Sequence, residues 1–600
     1  VSRRPAARIG WKSAIFPAAG RRAVRITCSL DTRAIRILGT WPARILASVL
    51  AVWVSGLSPF PYAEFGAVRA VLALPLTETG SLQISNILEY QIGWDPTNLA
   101  EEDELSQLFD QFVLDYTRGD LRLGLRWESY RDSKQQSFGA PDYDELTQKY
   151  VEWSQPDLIV RVGNGYAILG RGLLFRAFEL PGVIRDANFP ASRYAESRDL
   201  DGVILEARHR ILSLTAISGR PVSAPDIPYG AEEQFVFRRS GTVSGGHLGL
   251  DIGRGVRLGA AYLRTDDLTR EGREDQGGAD LELRLGRLLP RLDAAGLDLR
   301  FYGEYAGRRW RPFSDGLTTR DGRPHALYTA TEFTYGLWGL SFETKRYHQF
   351  ALLVNDPPSA VPEHSYHLLN RSTHVLAADD ETGHQLSLQG ALPRGWLLGA
   401  MPPGWLLQAD WAQAVNRSFT GAFYERAKRY NLALLSLESP PRARWQATLI
   451  AAAGRDEIIG ITDHHLFGTR LLHSRDDGWS VELTVEFQAA RRRVVTPLVN
   501  ERQDFDNLFA SVGMSKAGLG SLALQGEWSN DPLEKDDPRT QPLETAPRAW
   551  YGAVANIQIN AYHEATLFAG ERRGGTACTS GTCYEVPDFS GAELRLTSRF

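Results

Sequence analysis

The sequence predicts an all-β protein: a single transmembrane antiparallel β-barrel of roughly 20–26 strands behind an N-terminal leader. Three observations predict it. Apolar and polar residues alternate with period two in blocks about ten residues long, bounded by Gly, Asp, Asn or Pro. Beyond the leader, no stretch approaches the roughly 18 consecutive apolar residues of a membrane helix. The chain also ends on FSGAELRLTSRF, where Ala592, Leu594, Leu596, Ser598 and Phe600 alternate with Glu593, Arg595, Thr597 and Arg599.

Basic residues run from Arg3 to Arg44, and Ile45 to Leu57 (ILASVLAVWVSGL) is apolar. A basic segment followed by an apolar run too short to span is the layout of a signal peptide. Cleavage is expected after Ala63 or Ala73, which divides the chain into a leader at 1–73 and a barrel at 74–600. The basic part is longer than a signal needs, which places the true start near Arg33 or Arg36; an uncleaved anchor is the alternative. The leader holds 11 of the 67 basic and 2 of the 72 acidic residues, so the remainder carries 56 and 70, a net charge of −14. Such an acidic chain is a poor partner for nucleic acid. Cys28 departs with the leader. Cys578 and Cys583 remain as a close pair in CTSGTC, which in an oxidising envelope compartment reads as a disulfide closing a small loop. A metal site would need further thiols or histidines nearby, which the flanks lack.

The blocks justify the strands one by one. Leu121, Leu123, Leu125 and Trp127 alternate with Arg122, Gly124, Arg126 and Glu128; Leu281, Leu283 and Leu285 alternate with Glu282, Arg284 and Gly286. Leu297, Leu299, Phe301 and Tyr305 oppose Asp298, Arg300, Tyr302 and Glu304, and Trp479 to Phe487 repeats the pattern. Soluble strands average about five or six residues and spanning strands about nine to eleven, so these blocks match the longer class. Short turns at Gly253-Arg254-Gly255 and Arg208–Arg210 contrast with long polar joins at Asn355–Ser365 and Ser529–Thr545, the asymmetry of outer-membrane barrels. Trp127, Trp338, Trp479, Trp528 and Trp550 suit interfacial girdles. Strand pattern begins at once, at Leu82–Trp94, so no globular plug precedes it and whatever fills a lumen this wide comes from within the strand order.

The ending of the chain resembles the C-terminal assembly signal of outer-membrane barrels, with Phe600, Leu596 and Leu594 as its apolar positions. That resemblance implies recognition by the barrel assembly machinery and contact with outer-membrane lipid and lipopolysaccharide. One segment breaks the alternation, Gly163–Asp199, with Gly163, Gly165, Gly170 and Gly172 among Arg171, Arg176, Glu179 and Arg185. Glycines permit close backbone approach, and opposed charges suit a polar lumen. We therefore expect a lumen constriction carried by Arg171, Arg176, Glu179 and Arg185, with Arg171 and Arg176 near its narrowest point; an ordinary extracellular loop is the alternative. GRGLLFRAFE followed by LDGVILEAR resembles an uncharacterised family of large Bacteroidetes-type outer-membrane barrels, a domain of unknown function. The resemblance implies a barrel and a location, and brings no substrate or catalytic residue.

Asp463-His464-His465 suggests metal binding or acid/His water activation, but reads better as a pair of loop histidines. The acidic runs Glu101–Glu104 and Glu534–Asp537 read as solvated loop tips without EF-hand spacing. With no GxSxG, HExxH or P-loop beyond the leader, no enzyme and no cofactor is expected. Three functions remain in order: a porin-like transport channel, a structural or secretion-accessory barrel presenting loops to envelope proteins, and remotely an outer-membrane enzyme. N-terminal sequencing of the protein from outer-membrane fractions should begin near Leu74; a chain still carrying residues 1–73 would refute the leader.

Overall fold

Residues that alternate in the sequence alternate across one closed sheet. In the computed structural model, 24 strands pair antiparallel with their neighbours from Gly80–Trp94 round to Phe589–Arg599. These two strands then pair with each other, Ser85 opposite Arg599 and Trp94 opposite Ser590, so the sheet has no free edge. The structure describes residues 80–94, 104–132, 142–184, 193–221, 241–253, 255–269, 272–308, 324–350, 352, 354–362, 364–371, 380–393, 404–417, 427–440, 444–495, 500–532, 547–579, 582–586 and 588–600. The expectations for the leader, for Arg185 and for the acidic run Glu534–Asp537 lie outside the described residues, as do the positions 101–103.

Two-residue turns at 119–120, 156–157, 210–211 and 336–337 share the rim with the strand ends Gly80 and Arg599, as do the facing strand ends Gly253 and Val256, whereas the strand ends Gly165, Leu200, Arg308, His325, His348, Asp380, Ser529 and Arg548 lie on the other. Gly119 (φ 55°), Arg210 (φ 52°) and Gly336 (φ 59°) take the left-handed conformation that two-residue hairpin turns require. The chain leaves the barrel order twice. Leu158–Gly165 pairs directly with Leu200–His209, and the residues between them form a small sheet of Ala167–Leu169, Phe175–Ile184 and Arg193–Arg198. His563–Arg572 likewise pairs with Phe589–Arg599 across a hairpin of Gly575–Thr579 and Thr582–Val586, whose register sets Cys578 opposite Cys583.

The two faces differ in kind. Outward positions carry large exposed apolar side chains, among them Leu258, Phe342, Leu435, Phe467 and Leu524. Inward positions carry the buried polar ones, so that on Leu297–Arg308 Glu304 is buried while its neighbour Tyr305 is 52% exposed. Trp127, Trp338, Trp479 and Trp528 occupy outward positions as expected of girdles. Trp550 does not: it faces inward, is buried, and lies between the guanidinium groups of Arg548 (4.8 Å) and Arg573 (5.1 Å). The histidine pair also departs from expectation, since Asp463, His464 and His465 belong to the strand Ile461–Ser474 rather than to a loop. Alternation sends His464 inward, where it is buried, and His465 outward, where it is exposed, so the two imidazoles cannot serve one site.

The closing seam is polar inside and aromatic at its end. On the inner face Arg595 meets Glu89 at 3.1 Å and Glu593 at 2.8 Å, and the Gln91 amide donates to Glu89 at 2.8 Å. At the rim, Phe600 and Ile84 exchange both backbone hydrogen bonds, and the Phe600 ring meets the edge of His563 at 5.4 Å. Deleting Phe600, or making Phe600→Glu, should leave most of the chain unfolded before closure. Gel migration reads this directly: undiminished heat-modifiable barrel would count against it.

Candidate functional site

Strand number sets the problem that the lumen must solve. With 24 strands spaced about 4.8 Å and tilted about 40°, a circular ring would measure about 45–50 Å across. Such a bore selects nothing among small solutes, so any selectivity resides in what projects into it.

Two inserts project into it. The first begins after Leu158–Gly165 and turns at Gly170–Leu174. Gly170 (φ 64°) lies so close to the wall that a Cβ there would come within 2.4 Å of Glu304 Oε1, and Gly172 (φ 96°) would meet the Asp356 carbonyl at 2.8 Å. The turn thus needs glycine twice, once against the barrel and once against the second insert. Leu169, Leu173, Leu174 and Phe175 are fully buried against inward residues of the wall, chiefly Ile204, Ile217, Val243, Leu263, Tyr302 and Tyr328.

The second insert lies in the join 349–379. Phe350 and Val354 enter the same cluster as the first insert. Farther along, Val361, Leu368 and Leu369 pack on a second apolar sector of the inner wall, where Tyr430, Leu432, Leu434, Ile450 and Leu466 face inward. Burying each such leucine contributes about 1.5–3 kcal/mol, more than the ~1 kcal/mol of a typical exposed ion pair, so apolar contact sets where the inserts sit. Polar groups then fix their orientation. Glu486 accepts from the backbone of His367 (2.9 Å) and Leu368 (2.8 Å), closing the start of the helical turn His367–Asn370. Glu527 gathers His367 (2.9 Å), Arg371 (3.0 Å) and Arg573 (2.6 Å). Nearer the start of the insert, the fully buried pair Lys345–Glu381 donates through Lys345 to the Ser359 carbonyl, and the Tyr347 hydroxyl donates to Pro358 at 2.6 Å.

The inserts also hold each other. Arg176 meets Asp356 at 2.6 Å, its backbone N–H donates to Val354 (3.1 Å), and the Asn355 amide donates to the Leu173 carbonyl (3.0 Å). Burial pushes the Asp356 carboxyl up, against the pull of the Arg176 and Arg198 guanidiniums. Because desolvation outweighs attraction, this pair specifies where the inserts meet more than it stabilises them.

The expected constriction residues therefore separate. Arg171 sits at the tip of the first insert; its backbone donates to Glu304 (2.6 Å), and its guanidinium lies over Tyr302 (4.3 Å) and 3.9 Å from Glu332. Arg176 is locked between the inserts, and Glu179 faces the opposite way, paired with Arg126 and accepting from Tyr166 at 2.5 Å. Arg171 keeps 40% and Glu332 51% of their side-chain surface exposed, so water reaches the lumen at this point. Among the described residues, no three His, Cys, Asp or Glu side chains converge as a metal would require.

Residues 79–416 match the family described as a family of unknown function (DUF6029). The chain belongs to that family. Solved structures similar to this family member include the P pilus usher (PapC) translocation pore, at 9% identity and a TM-score of 0.42 over 86% of this chain and 99% of that one. They also include OccK5 (OpdH) of Pseudomonas aeruginosa, at 13% identity and 0.34 over 68% and 98%, and the outer membrane protein OprD of the same organism, at 12% and 0.31 over 63% and 88%.

Losing one partner of a buried pair strands the other. Arg176→Ala should weaken docking of the inserts by about 1–3 kcal/mol, and adding Asp356→Ala should recover part of that loss. Limited proteolysis of the purified barrel measures it through cleavage within 166–199. Equal protection of Arg176→Ala and the unaltered protein would show that the pair does not hold the inserts.

Proposed function

We propose that the protein is a porin-like channel of the outer membrane, in which solutes pass a wide barrel narrowed by two docked inserts. The carrying observation is the wet tip of the first insert: Arg171 and Glu332 face inward and remain exposed where the insert meets the wall. A plug built only to seal would bury these charges. The outward belt supports a bilayer setting, since so many exposed Leu, Phe and Tyr side chains on every side exceed any ordinary soluble surface. No helix among the described residues is long and apolar enough to cross a membrane. A disulfide between Cys578 and Cys583 fits this setting, because directly opposed residues stand about 4.5–5.5 Å apart at Cα, within disulfide reach. Phe600, Leu596 and Leu594 serve assembly in this reading, and lipid and lipopolysaccharide contact the belt.

The firm apolar anchoring of both inserts favours a second reading, an accessory barrel that presents fixed loops to envelope proteins. Conductance separates the two. The purified protein in planar bilayers should show discrete conductance steps, and deleting residues 172–197 should enlarge them severalfold. Arg171→Gln should shift selectivity towards cations, because Glu332 then loses its opposing charge. Absence of conductance in the full chain would overturn the channel reading in favour of the accessory barrel.

A further inference from the structure

Below the second insert, towards the turn rim, the inner wall opens into a cavity of about 540 Å³. We propose that it is a subsite for a neutral polyhydroxylated solute, of carbohydrate class, on its way through the channel; the inference rests on the channel reading. Thr334, Gln389, Gln408, Ser436 and Glu438 line the cavity, with Leu406 as an apolar wall. They come from the ends of four strands, His325–Tyr335, Asp380–Ala391, Leu406–Asn416 and Lys428–Glu438, and the alternation places these polar residues on the inward face.

The donor set decides the solute. Two amides and two hydroxyls each donate and accept, and Glu438 accepts only. A solute with neighbouring hydroxyl groups both donates and accepts, and its C–H faces suit Leu406. An anion would ask for a guanidinium or ammonium, and none stands among the described lining residues. A metal cation would ask for more carboxylates than one. The volume falls within the roughly 300–1,000 Å³ of small-molecule sites and accommodates a mono- or disaccharide.

The site is also built, not merely left over. Gln408 is oriented from within the wall, its amide donating to the buried Asp410 at 2.7 Å, and Asp410 also accepts from Ser387. The second insert touches the lining through Tyr366, whose hydroxyl lies 3.0 Å from Ser436 Oγ. The same segment that narrows the bore therefore fixes one of the subsite's hydroxyls.

Maltose is the probe, added to the full chain in planar bilayers, with citrate as the anionic comparison. Maltose should block the ion current saturably, and the variant Gln389→Ala/Gln408→Ala should raise the half-blocking concentration about tenfold, as losing two hydrogen bonds implies. Gln389→Glu, which keeps the size of the side chain and leaves the Gln408–Asp410 contact intact, guards against misfolding, as does heat-modifiable migration of each variant; it too should weaken the block. Conductance without saturable maltose block overturns the solute class and leaves the channel standing. Saturable block by citrate overturns it as well, in favour of an anion. If the chain does not conduct, the channel reading fails, and isothermal titration of the detergent-solubilised protein with maltose decides the subsite separately: saturable heat lost in the double variant supports it, and no heat overturns it.

Discussion

Pairing of the first strand with the last is the constraint from which the rest follows. An open sheet would leave a row of unpaired backbone groups along each edge, and Gly80–Trp94 removes both edges by finding Phe589–Arg599 across about five hundred residues of sequence. Closure at 24 strands then makes the bore wide. Width in turn demands inserts, and inserts demand something on the inner wall to hold them. Each step is a consequence of the one before.

The wall answers that demand with composition. In a water-filled barrel the inward residues are polar, yet Leu432 and Leu434 on one strand and Ile450 and Ala452 on the next face inward and are buried. Those strands are apolar on both faces: Leu435 and Leu449 stand exposed in the outward belt, and the inner face is covered by Val361, Leu368 and Leu369. The first insert has its own sector around Ile204, Ile217 and Val243. Between these sectors the two inserts share one junction at Arg176 and Asp356, so displacement of either disturbs the other. The polar seam at Glu89, Glu593 and Arg595 belongs to neither apolar sector.

How much of this the sequence discloses depends on how local each cause is. Strand alternation, the approximate number of strands and the short turns were legible, because period two and turn chemistry act over a few residues. The break in alternation at Gly163–Asp199 was legible, with an inward fold and an outer loop both open from its composition; two of its glycines, Gly170 and Gly172, stand against Glu304 and Asp356. The second insert was not, because Asn355–Ser365 reads as an ordinary polar join and its partners Glu486 and Glu527 lie more than a hundred residues away. A signal was present nonetheless in KRYNLALLSLE, whose apolar residues occupy both parities of one strand. Trp550 misled for a related reason: a tryptophan near a strand end suits a girdle, and only the two flanking guanidiniums show that it turns inward.

The arginines of the first insert show why residue type alone could not assign roles. Arg171 and Arg176 are five positions apart in one glycine-rich segment, and by sequence they are equivalent charges. Placement divides them. Arg176 has one face against Phe178 and its charge against Asp356, so it is spent on holding two inserts together. Arg171 is held by its backbone, through Glu304, which leaves its guanidinium stacked on Tyr302 and still in water. Arg171 does face a carboxylate, Glu332 at 3.9 Å, but that pair is open to water, whereas the tighter Arg176–Asp356 pair is sheltered between the inserts. On the channel reading, electrostatic influence on solutes belongs to Arg171, and the position from which it acts is maintained by Arg176.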